Sequence, residues 1–195
     1  MSRTDLYLNL DLNGIQFILN IKHYVNVKNY KNKSIYDYLC YTDMNFVFDS
    51  KNIRFSPYSD CLFCFEVDAI ADMIEKHLNN KFKKIKSFQC VSPDLHFVFY
   101  PQSYVPSGQA KNMNNKLCSM DVNTHLCTYN CMELFLTFVL DGTYGDHQLK
   151  IVFDNQNLEY LLIYLNYIIG DIDINSDKIK NLIEKRIIQC RYSLI

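Results

Sequence analysis

Two stretches of this chain carry the same arrangement of apolar residues at an interval of about 88 positions. Cys61, Phe63, Phe65, Ile70 and Ile74 fall on Leu149, Ile151, Phe153, Leu158 and Leu162, and acidic Glu66 falls on Asp154. The shift preserves both strand parity and helix phase without a gap, which unrelated segments rarely do. In each copy the first three residues alternate onto one face of an extended segment, and the later ones share one face of a helix. Two copies are too few for a solenoid, which needs three or more repeats to bury its faces. The pattern therefore predicts two related β-β-α halves sharing a core.

Within the first copy, Met44 to Phe48 reads as a strand and Asp49-Ser50-Lys51-Asn52 as a turn. Asp68 is positioned to cap a helix over about 68–79, with Val67, Ile70, Ala71, Ile74 and Leu78 on one face and Asn79-Asn80 as a stop. His77 is placed on that helix's surface. The second copy predicts a helix over about 157–169 ended by Gly170. Asn175-Ser176 caps a third, over about 176–188, with Ile179, Leu182, Ile183 and Ile187 on one face. Leu6, Leu8, Leu10 and Leu12, then Asn13-Gly14, then Ile15, Phe17, Leu19 and Ile21 predict a hairpin over about 5–24, because Asn-Gly accommodates the positive φ of a tight turn. Leu95, Phe97 and Phe99, Met132 to Leu140, and Gln148 to Phe153 predict further strands. Lys81, Lys83, Lys84 and Lys86 alternate with Phe82 and Ile85 and read as a solvated edge strand, where lysines discourage sheet-to-sheet pairing.

Of the 195 residues 49% are hydrophobic, which excludes wholesale disorder and suits a single domain spanning 1–195. Fifteen Tyr and thirteen Phe with no Trp fit aromatics packed against sheets. A formal net charge of -1 gives no long-range attraction for nucleic acid or anionic lipid, so neither is an expected partner. The eight cysteines come without an apolar leader near Met1 and without a run of roughly 20 apolar residues that would span a membrane. The expectation is a cytoplasmic, reduced protein using its thiols as small hydrophobes.

No catalytic constellation emerges. Cys61-Leu62-Phe63-Cys64 matches Cys-x-x-Cys, but it is expected within a strand, whereas a redox pair sits at a helix N-terminus that lowers the thiol pKa. Cys118, His125, Cys127 and Cys131 lie close enough in sequence for zinc, yet lack two separated ligand pairs. Asp141, Asp146 and His147 share a loop whose aspartates and glycines turn chemistry already explains. The expectation is no enzyme, no metal and no cofactor.

One resemblance covers about residues 5–170. Tyr41-Thr42-Asp43-Met44-Asn45-Phe46-Val47 looks like an Asp-x-Asn-Trp-Leu segment opening a strand, with Phe46 at the Trp position. Phe88-Gln89-Cys90-Val91-Ser92-Pro93-Asp94-Leu95 looks like a Phe-x-Pro-x-Glu-Pro-x-Leu stretch, with Ser92 at the Glu position. Cys61 to Phe65 with its following helix, and Gln148 to Ile169, supply the remaining strand-and-helix pairs. In these features the chain resembles the WapI family of bacterial immunity proteins. The resemblance implies an antitoxin that binds a cognate toxin domain and occludes it sterically.

The expected fold class is α+β: an antiparallel sheet or sandwich built from halves at about 36–100 and 117–170, with helices about 68–79, 157–169 and 176–188 packed on it. Tyr104, Asp141, Tyr144 and Asp146 are the candidate partner-binding residues, since aromatics and carboxylates on loops suit recognition. The alternatives are a metal-binding or hydrolytic protein using the Cys118–Cys131 region, or a structural or oligomeric scaffold.

Overall fold

The computed structural model describes residues 6–12, 14–22, 24–25, 39–48, 54–55, 62–91, 95–101, 131–138 and 147–190. These residues form an α+β fold of two antiparallel sheets and three helices. The first sheet contains β1 (Leu6–Leu12), β2 (Ile15–Lys22), β3 (Leu39–Phe48), β4 (Arg54–Phe55) and, at its other edge, β10 (Ile188–Cys190). Its order is β10-β1-β2-β3-β4, and the short β5 (Leu62–Phe63) also pairs with β3. The second sheet is a meander of β6 (Lys86–Gln89), β7 (Leu95–Tyr100), β8 (Cys131–Phe138) and β9 (His147–Phe153). The helices are α1 (Cys64–Leu78), α2 (Asn155–Ile169) and α3 (Asp177–Glu184).

The opening hairpin forms as its alternation predicts. Leu12 pairs with Ile15 across the Asn-Gly turn, Gly14 takes a φ of 88°, and its N–H donates to Asp11 Oδ1 at 2.9 Å. Leu6, Leu8, Leu10, Phe17, Leu19 and Ile21 then point into one core. From the second sheet, Leu95, Phe97, Phe99, Met132, Leu134, Ile151 and Phe153 enter the same core, with one face of each helix. Phe17 and Phe153 join the sheets edge to face at 5.4 Å, a geometry the aromatic quadrupole favours. Each fully buried side chain of this size contributes about 1.5–3 kcal/mol.

Tyr164 of α2 ties the helix layer to the first sheet. Its hydroxyl accepts from the Ile21 N–H at 3.0 Å and donates to the Leu6 carbonyl at 3.2 Å. The phenol thus satisfies two buried backbone groups just beyond the last β1–β2 pair, Leu8 with Leu19. Burial pushes its pKa upward, against a smaller lowering by the Ile21 N–H.

Three local expectations are corrected. First, Leu62 and Cys64 are buried while Phe63 is half-buried and Phe65 is 37% exposed, so the inward parity is the reverse of that predicted for Cys61, Phe63 and Phe65. The helix begins at Cys64 rather than near Asp68. Glu66 closes its start by accepting from the Phe63 N–H at 2.7 Å, while Asp68 accepts from the Tyr24 hydroxyl at 2.8 Å. The two phenyl rings stack on each other at 5.5 Å, which gives an alternation without a buried strand.

Second, the third helix stops at Glu184 instead of running to 188. Arg186 enters the left-handed region at φ 60°, and the Arg186 and Ile187 N–H groups return to the Ile183 and Leu182 carbonyls at 2.9 and 2.8 Å, a Schellman closure. The chain then forms β10, which pairs with β1 through Leu8 and Ile188. Third, Lys81 to Ile85 is a loop and only Lys86 onward is strand. The resulting β6 is an edge of the second sheet, so its lysine stands where edge protection needs a charge.

Candidate functional site

The predicted partner-binding residues Tyr104, Asp141, Tyr144 and Asp146 lie outside the described residues, as do Cys118, His125 and Cys127 of the cysteine-rich region. Cys131 is the buried first residue of β8. Among the described residues no group of three His, Cys, Asp or Glu side chains is placed to hold a metal ion, and no helix is long and apolar enough to cross a membrane. Cys64 opens α1, contrary to the strand setting expected for Cys-x-x-Cys. It is fully buried, and its Sγ accepts from the Val25 N–H at 3.3 Å.

Strand alternation that sends one set of residues into the core presents the other set on the two outer sheet faces. On the second sheet the centre of that face is Glu133, 3% exposed and paired in register with Val98 and Val152. Its carboxylate accepts from the Tyr100 hydroxyl at 2.9 Å and from Lys150 Nζ at 3.1 Å. These partners reach it from the diagonal positions of the two neighbouring strands, the short-range contacts a sheet permits. The carboxylate is fixed by charge-assisted hydrogen bonds. Beside this network His96 and Phe135 lie ring to ring at 5.9 Å, with His96 on the outer face where the alternation predicts it.

The outer face of the first sheet is composed differently. Register places Asn9 opposite Ile18, Ile18 opposite Asn45, and Asn20 opposite Asp43. Tyr7 pairs with Gln189 of β10 and donates its hydroxyl to Gln189 Oε1 at 2.7 Å. Asp43 and Asn45, the polar residues of the Asp-x-Asn segment, therefore occupy positions on this face. Asn20 is 6% exposed, and its Oδ1 has no hydrogen-bond partner among the described residues. Such an atom costs roughly 1–3 kcal/mol relative to a satisfied one.

His77, placed by sequence on the helix surface, is 1% exposed. Its distance along α1 from Ile70 and Ile74 returns it to the inward face. The ring packs against Phe99 at 5.5 Å and Phe82 at 5.9 Å, and among the described residues neither nitrogen makes a well-formed hydrogen bond. Desolvation lowers its pKa to about 4, opposed by the nearby backbone of Cys131.

Sequence reasoning missed Glu133, Asn20, Glu66 and Tyr164. A lone carboxylate within the apolar run from Met132 was the available signal for Glu133. Asn20 carried none, because its character comes from the strands beside it. Glu66 accepts from two backbone groups, Phe63 N–H and Val91 N–H at 2.7 and 2.5 Å, and the second lies far along the chain.

No family model matches the chain, and no curated protein matches it. A solved structure of the plant transcriptional regulator PBF-2 is similar over 84% of this chain and 79% of that one, at 11% identity and a TM-score of 0.39. A likeness that low carries no conclusion about function.

Proposed function

We propose that the chain is a cytoplasmic immunity protein that binds a cognate toxin domain and neutralises it by covering its working surface, without chemistry of its own. The observation that supports this reading most is the state of the second sheet's outer face. Tyr100, Glu133 and Lys150 form a closed network there, with the His96–Phe135 ring pair beside it. Aromatic and charged groups held in fixed positions lower the ordering cost of association and suit the core and rim of a protein interface. The resemblance to WapI immunity proteins supplies the class of partner.

Co-expression with a toxin-like domain, taken from the neighbouring coding sequence where that sequence ends in one, is the test. Growth rescue, together with a stoichiometric complex of the purified proteins, is the expected result. Continued killing at matched expression removes the reading. Alanine at Tyr104, Asp141, Tyr144 or Asp146 is expected to weaken that complex, and affinities equal to wild type would exclude those loop residues.

A further inference from the structure

The run from Lys81 to Lys86 carries four lysines in six residues, as a loop up to Ile85 and then as the start of β6. All four are exposed. From Asn79 to Val91, and along β7, the sequence has no Asp or Glu. Among the described residues the ion pairs are Lys76–Asp72 and Lys150–Glu133, and none of the four lysines takes part. A chain whose formal net charge is only -1 thus concentrates positive charge at the β6 edge of its second sheet.

Two structural explanations leave part of that charge over. Edge protection calls for a charge within the edge strand, which Lys86 supplies. The C-terminal end of α1 presents roughly half a negative charge, and Lys83 meets it by donating from Nζ to the Asn80 carbonyl at 3.4 Å. Lys81 and Lys84 answer neither need. The loop that carries them is nonetheless anchored. The Lys81 N–H returns to the Lys76 carbonyl at 2.9 Å, the Phe82 ring meets His77 and Phe99 at 5.9 Å each, and Lys86 pairs in register with Phe99. A fixed backbone with its ammonium groups in water has little ordering left to lose on association. Like charges this crowded repel one another, and a surface of opposite sign relieves them. Phe82 and Phe88 pack against the core, so neither offers the stacking platform that a single-stranded nucleic acid uses. Carboxylates need the charge alone.

We propose that the Lys81–Lys86 loop is a docking and steering surface for a carboxylate-rich face of a protein partner. The inference rests on the protein-binding role proposed above, and it sets a positive rim along one edge of the sheet whose outer face supports that role. Rim charges of this kind govern the rate of encounter and its salt dependence.

The test uses the full chain, labelled with nitrogen-15, at low ionic strength. The probes are an acetylated, amidated hexaglutamate peptide and, for comparison, hexathymidylate. Hexaglutamate is expected to shift the backbone amides of Lys81, Lys83, Lys84 and Lys86 saturably, and to bind more tightly than hexathymidylate. Combining Lys81→Gln with Lys84→Gln should weaken that binding about fivefold, the scale of two exposed ion pairs. Combining Lys178→Gln with Lys180→Gln removes the same charge from exposed positions on α3 and should leave the affinity unchanged. Absent shifts, equal weakening by the two double variants, or tighter binding of hexathymidylate overturns the proposal. Parallel rescue assays separate it from the immunity role. Toxin neutralisation without these shifts removes the surface and leaves the role standing. These shifts without any toxin neutralisation remove the role and leave the surface.

Discussion

In the second half of the molecule Glu133 is buried on a sheet and meets both Tyr100 and Lys150. In the first half Asn20 and His77 are also buried, with an amide oxygen and both ring nitrogens unmet among the described residues. The helices sharpen the contrast. Both α1 and α2 run for 15 residues; aligning their starts moves the helices three positions beyond the gapless shift expected from sequence, and sets Val67 beside Leu158, Ile70 beside Leu161 and Ile74 beside Leu165, all buried. At the next inward position α1 has His77 and α2 has Ile168. An aliphatic residue therefore fills the equivalent place, and the polar residues of the first half cost stability that packing alone does not require. One half closes its polar groups internally; the other leaves an amide oxygen and an imidazole without hydrogen-bond partners among the described residues.

Acid is the strongest way to break this balance. His77 is held at about 4 in the fold, against 6.5 for the ordinary side chain. Above pH 6.5 it is neutral in both folded and unfolded chains, and its full contribution is present. Below that value the unfolded chain takes up a proton that the fold refuses, so stability falls with pH and levels off below about 4. The loss amounts to about 3 kcal/mol. Urea denaturation of wild type and His77→Leu at pH 7 and pH 4 reads the difference. A variant with the same acid loss as wild type would remove His77 as its source.

The closed half is tested by opening it. Lys150→Met leaves Glu133 buried with the Tyr100 hydroxyl as its remaining partner, and is expected to cost about 2 kcal/mol, moderated because Lys150 is partly exposed. Adding Glu133→Met should recover most of that loss in the denaturation midpoint. No recovery would mean that Lys150 acts through packing rather than charge.

Tyr164→Phe tests the tie between the second half's helix and the first sheet. It strands the Ile21 N–H and the Leu6 carbonyl for about 2 kcal/mol. Amide exchange at Ile21 should quicken more than at Leu165 in the same helix layer. Uniform quickening would show that the bond is not local to the β1–β2 opening.

Much of this architecture was legible because it is written in short-range periods. The alternating leucines of β1, the Asn-Gly turn, Ser176 accepting from the Ile179 N–H and Gly170 at φ 100° all involve neighbours in sequence. Parity at Phe63 and Phe65 was not legible, since a half-buried ring stacked on an exposed one mimics a buried alternation. Nor was β10, three residues long and defined by its pairing with β1 from the far end of the chain. Asn20 reads as an ordinary polar strand residue until register sets it opposite Asp43. The contacts that distinguish the halves are long-range, so local pattern could not reveal them.

The smallest expected effect compares how the helices end. Each is followed by a left-handed residue: Asn80 at φ 54°, Gly170 at φ 100° and Arg186 at φ 60°. Glycine adopts that region without a Cβ clash and asparagine at modest cost, whereas arginine loses roughly 1 kcal/mol. Arg186→Gly should therefore stabilise the fold by somewhat less than that, because glycine also loosens the unfolded chain. Asn80→Gly should change it by only a few tenths of a kcal/mol. Arg186 sits between α3 and β10, so a loss of stability in Arg186→Gly would show its side chain contributing contacts that outweigh the backbone strain. The end of the chain would then depend on that arginine to hold β10 against β1.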